Sequence, residues 1–207
     1  MERSRVWDHV VAERLALGAV LRDLDENEWD HPSLCAGWRV RDVAAHVISS
    51  PQMTWRETLR VLPAMRHGYN TAILHDGRRR GRAPIARILA DYDRWATVRR
   101  GPATVTHLEP LIDVLVHTQD ILRSLGRRHA MPPDAAAAVA DRARLLSALT
   151  GSRAVVRSVR MRATDVDWAA GRGPVLEGTM EELLLVCTGR APARDSLTGD
   201  GLAHLPR

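Results

Sequence analysis

The apolar residues of this chain change their period once, near residue 152, and that switch limits the folds open to it. Before it, apolar side chains recur at helical spacing over 4–27, 37–49, 52–66, 84–99, 109–126 and 133–148. The last segment opens on Pro132-Pro133-Asp134, a helix start signal. Short connections between such helices predict an antiparallel bundle. "HDGRRRGRAP" (75–84) reads as a loop on its Gly and Pro, with its arginines in solvent. Past the switch, Val159, Met161 and Ala163 alternate with Arg160, Arg162 and Thr164, which is strand spacing. "GRGP" (171–174) predicts a turn and "VLEG" (175–178) the second strand of a hairpin. Thr179 and Glu182 have capping-box spacing and predict a helix that ends at Gly189. The chain therefore reads as mainly α, with a helical bundle over 1–150 and a small β-hairpin-plus-helix domain over 151–207.

Composition narrows the partners. The 207 residues carry a net charge of +5, and every one of the 30 basic residues counted as Lys+Arg is Arg. Lys and Phe are absent, and Asn occurs only at 27 and 70, which points to a GC-rich coding genome. Basicity then has a genomic cause, and Arg is interspersed with Asp and Glu, so nucleic acid is not expected as a partner. No apolar run reaches membrane length and the first twenty residues read as a charged amphipathic helix, so a cytoplasmic protein is expected. Cys35 and Cys187 are expected as free thiols there.

Within "LIDVLVHTQDILRSLG" (111–126), Asp113, His117 and Asp120 stack in one narrow stripe. A histidine four residues from an aspartate is ordinarily a surface pair. This stripe, however, lies about 80° or more from Gln119 and Arg123, the expected solvent face. A polar stripe set apart from the wet side suits a cavity, and two ligands from one helix turn need a third. His46, among Val43, Ala45, Val47 and Ile48 on a second helix, is the best candidate. Asp120 either accepts a hydrogen bond that orients a ligand or is exposed. Cys35 has no evident base beside it and reads as structural, and Trp38 reads as packing or as a wall near His46.

"HPSLCAGWRVRDVAAHV" (31–47), "LIDVLVHTQDI" (111–121) and "ATDVDWAAGRGPVLEGTMEELLLVCTGRA" (163–191) resemble three signatures of the mycothiol-dependent maleylpyruvate isomerase family, found chiefly in actinobacteria. The resemblance implies a DinB-like antiparallel four-helix bundle followed by a small α+β element. It implies His46, Asp113 and His117 as ligands of a divalent metal, zinc, and mycothiol as thiol cosubstrate. Arg190, in "TGR", becomes the candidate cation for an anionic substrate; read alone, it complements a helix dipole equally well. The implied chemistry is activation of mycothiol as a thiolate for addition to an electrophilic small molecule, by an isomerase or an S-transferase. Two departures stand out: Asp113 where the family has Glu, and Arg39 where it favours Thr or Ser as a cap. The alternatives are a non-haem iron enzyme using the same ligand set, and a non-catalytic module binding a small molecule or protein. Monomer and homodimer are equally compatible.

Overall fold

The computed structural model describes residues 1–57, 59, 66 and 68–206. Its chain divides into two compact units, Met1–His129 and Ala130–Arg207. The expected division after residue 150 differs from this because the helix Pro133–Leu145 packs with the C-terminal helix Met180–Cys187.

The first unit is the expected helical bundle. Helix α1 (Arg3–Arg22) buries Val6, Val10, Leu17 and Leu21, and a short α2 (Glu26–Asp30) follows. The expected single helix over 4–27 breaks there because Asp25 starts a new one. Its carboxylate accepts from the Glu28 N–H at 2.9 Å, and the Glu28 carboxylate accepts from the Asp25 N–H at 3.0 Å. Helices α3 (Val40–Ser49), α4 (Tyr69–Gly81), α5 (Ile85–Trp95) and α6 (Glu109–Leu122) follow among the described residues. Helices α1 and α3 each pack on α5 and α6, and α4 lies along α3. Arg39 has no acceptor with which to cap α3, but Asp42 takes up the Arg39 N–H at 3.0 Å and its guanidinium as well.

The segment expected as a loop at 75–84 instead lies largely in α4. Its glycines serve packing: a Cβ at Gly77 would come 2.6 Å from Cζ2 of Trp38, and one at Gly81 2.7 Å from Cα of Asp42. Its arginines are not all solvated either, since Arg80 pairs with Asp76 and Glu57. Of the helix expected over 52–66, residues 58 and 60–65 lie outside the described residues.

The second unit holds α7 (Pro133–Leu145), α8 (Ser147–Thr150), α9 (Arg153–Ser158) and a four-stranded sheet. Strands β1 (Arg160–Ala163), β2 (Ala169–Gly171), β3 (Val175–Gly178) and β4 (Leu197–Thr198) lie in the order β2-β1-β3-β4. The hairpin partner of β1 is β2, and β3 lies parallel to β1 with Met161 opposite Leu176, both fully buried. The "GRGP" segment therefore reverses the chain as expected, but it carries it past the start of β1 to the far side of that strand. Gly171 and Gly173 take φ of +91° and +115° with backbone carbonyls against them, which a side chain would not tolerate.

Helix α10 (Met180–Cys187) starts differently from its sequence signature. Thr179 makes no side-chain cap, Asp165 accepts the Met180 N–H at 2.8 Å, and Glu182 accepts the Ala193 N–H at 2.8 Å. Its end is as expected: Gly189 has φ +77° and the Arg190 N–H reaches the Leu185 carbonyl at 2.9 Å.

Candidate metal centre

Helices α3 and α6 face each other across the bundle core, and each brings polar groups to the contact. Val43, Ala44, Val47 and Ile48 bury α3, which holds His46 half-buried at the edge of that apolar face. Leu111, Val114, Leu115 and Val116 do the same for α6, leaving Asp113 half-buried and His117 buried. One donor atom from each of His46, Asp113 and His117 lies within 4.8 Å of the other two. Two imidazoles and a carboxylate form a recognised zinc donor set with room for a further ligand. Bonds of about 2.0–2.2 Å to one ion put such donors about 3.3 Å apart. The shorter Asp113 still brings a carboxylate oxygen within 4.8 Å of a nitrogen of each imidazole.

A second group shares His117: Cys35 Sγ, His117 and Asp120 also offer donor atoms within 4.8 Å of one another. Here the separations are hydrogen-bond lengths. Oδ2 of Asp120 lies 2.8 Å from His117 Nδ1 and 3.0 Å from Cys35 Sγ, and Sγ lies 3.7 Å from Nδ1. Asp120 is fully buried, so this carboxylate is solvated by those two donors in place of water. The loop is tied to the helix by the Leu34 N–H, which reaches the Asp120 carbonyl at 3.0 Å.

Electrostatics follow from that enclosure. Burial by itself lowers the His117 pKa, but Cys35 and Asp120 outweigh it and hold the ring at about 10. Behind Asp113, the buried Arg14 donates from Nη1 to the Val98 carbonyl at 3.1 Å. Burial pulls its pKa down to about 10, while Tyr92 and Asp113 act in the opposite direction. Trp38 forms a wall: its ring centroid is 5.0 Å from that of His46 and 5.9 Å from that of His117.

The expected ligand stripe thus meets His46, but two expectations about its surroundings change. Gln119 is not on the solvent face; it is buried, donates to the His129 carbonyl at 2.8 Å and accepts from Arg123. Cys35 does have a base beside it, the Asp120 carboxylate, which lies 85 residues away and has no local signature. Arg190 belongs to the second unit, where its guanidinium donates to the Thr188 carbonyl at 2.8 Å. Among the described residues no helix is long and apolar enough to cross a membrane.

No curated protein matches the chain. Two solved structures share its fold: the mycothiol-dependent maleylpyruvate isomerase and a histidine-to-alanine mutant of it. Each superposes with a TM-score of 0.65 at 14% identity, over 97% of this chain and 93% of the other. The family model described as the mycothiol maleylpyruvate isomerase N-terminal domain matches residues 10–122, which include His46, Asp113 and His117. With more than half its length matched, and the bundle with its C-terminal α+β element in place, the chain belongs to the mycothiol maleylpyruvate isomerase family.

Proposed function

We propose that the protein is a metal-dependent enzyme that activates mycothiol as a thiolate for addition to an electrophilic small molecule. His46, Asp113 and His117 would hold a divalent ion, zinc. The convergence of their three donor atoms carries this reading. When bound, such an ion lowers the pKa of a coordinating thiol and holds the thiolate at a fixed place.

The chain's own residues define the rest. His117 would coordinate only as a neutral ring, releasing its Nε2 proton to solvent while Asp120 keeps the hydrogen bond at Nδ1. Asp120 thereby fixes the tautomer that presents Nε2. Trp38, packed on both imidazoles, shields their faces from water. Arg190 is the proposed contact for a carboxylate on the electrophile, a role supported by the family signature "TGR". Isomerisation and S-conjugation share the thiolate addition and differ in whether the adduct is eliminated or kept.

The test is mycothiol consumption by the zinc-loaded protein against a panel of electrophiles, maleylpyruvate included. Turnover lost in His117→Ala and in His46→Ala supports the reading. A metal-free protein with no turnover, whose thermal stability zinc leaves unchanged, defeats it in favour of a non-catalytic binding module. Iron rather than zinc in protein purified without added metal favours the non-haem iron enzyme.

A further inference from the structure

Helix α4 approaches α3 through two glycines one turn apart, and Gly77 meets the indole of Trp38. A Cβ there would lie 2.6 Å from Cζ2, 2.9 Å from Cη2 and 3.0 Å from Cε2 of that ring. Gly77 sits inside a helix, so its backbone conformation does not call for glycine, and alanine is ordinarily the better helix former. What the position requires is space.

The indole filling that space has little freedom to retreat. Trp38 is 6% exposed, and its ring packs on His46 at 62° and on His117 at 25°, while the two imidazoles meet at 87° with centroids 5.2 Å apart. Its loop is also tied to α4, since Nε of Arg78 donates to the Gly37 carbonyl at 2.8 Å. In a close-packed interior a displaced ring passes its displacement to its neighbours. Here the neighbours are two of the three proposed ligands.

We propose that Gly77 is a positioning residue for the metal centre: by ceding its Cβ volume to Trp38, it sets the ring planes of His46 and His117. The proposal rests on the reading of His46, Asp113 and His117 as metal ligands. Gly77 touches no ligand itself and acts only through the indole.

The test is a substitution cycle in the full-length protein, read by zinc affinity in competition with a chelator and by the visible spectrum of the cobalt(II)-loaded form. Gly77→Ala is expected to weaken zinc binding about tenfold or more and to alter the cobalt spectrum. Trp38→Phe removes the atoms that the new Cβ would meet. The Gly77→Ala/Trp38→Phe double variant should therefore match Trp38→Phe alone in both readouts. A folded Gly77→Ala protein with unchanged affinity and spectrum overturns the proposal, as does a loss that persists on the Trp38→Phe background. If Gly77→Ala does not fold, Trp38→Leu with Gly77 retained serves instead: an altered cobalt spectrum is expected, and an unchanged one overturns the proposal. Failure of the underlying metal reading shows separately, as zinc affinity of the unsubstituted protein no better than that of His117→Ala, and it removes this proposal too.

Discussion

Asp120 concentrates the residue-scale chemistry, because one oxygen of this fully buried carboxylate serves both His117 and Cys35. Replacing it by Asn keeps the volume but removes the charge and the preferred acceptor. Asp120→Asn is therefore predicted to weaken metal affinity by about 10–100-fold with the fold intact, measured by chelator competition and circular dichroism. Asp76 makes a different prediction. Burial pushes its pKa up, but hydrogen bonds and charge from Arg80 and Arg79 outweigh this and hold it below 3.8. Its contribution to stability is then present above pH 3.8 and lost as pH falls through the lower folded value. The urea midpoint of Asp76→Asn should lie below that of the natural protein at neutral pH and converge on it in acid. A gap that persists at low pH would reject the ion-pair account.

At the scale of elements, caps and close approaches decide where helices begin and how near they come. Helix α10 shows that a capping signature and a cap differ. Thr179-x-x-Glu182 has the spacing, but Asp165 from the preceding loop holds the Met180 N–H and Glu182 is engaged with the Ala193 N–H. Asp165→Ala should cost about 1 kcal/mol and Thr179→Ala much less, compared by thermal or urea unfolding. Equal losses would mean that Thr179 does cap the helix. Helix α4 shows the converse for glycine. Read along the sequence, Gly77, Gly81 and Pro84 punctuate a loop. In the fold, two of those residues are helical, and they are glycine because Trp38 and Asp42 occupy the volume a side chain would fill. No local pattern distinguishes a glycine that turns the chain from one that admits a neighbour.

For the whole molecule, the division into two units separates the roles proposed for its residues. His46, Asp113, His117, Asp120, Cys35 and Trp38 all lie within Met1–His129, whereas Arg190 lies in Ala130–Arg207. Metal binding and contact with an anionic substrate should therefore separate. Arg190→Ala is predicted to raise KM for a carboxylate-bearing electrophile while leaving zinc affinity as it was. A fall in zinc affinity in that variant would contradict the assignment of all metal donors to the first unit.

By itself the sequence determined the helical period of the bundle, the switch to strand period past residue 152, and the stripe of Asp113 and His117 on one helix face. These are local properties, written in the spacing of side chains along a regular backbone. It also pointed to His46, through an apolar helix face and a family signature that sequence comparison can reach. Only the tertiary structure decided the rest: that β1 pairs parallel with β3, that Gln119 is buried, that Cys35 meets Asp120, and that Gly77 makes room for Trp38. Each of these joins groups whose contact depends on how elements pack against one another. Such contacts arise from volume and from the satisfaction of buried polar groups, and neither is encoded at any fixed spacing along the chain.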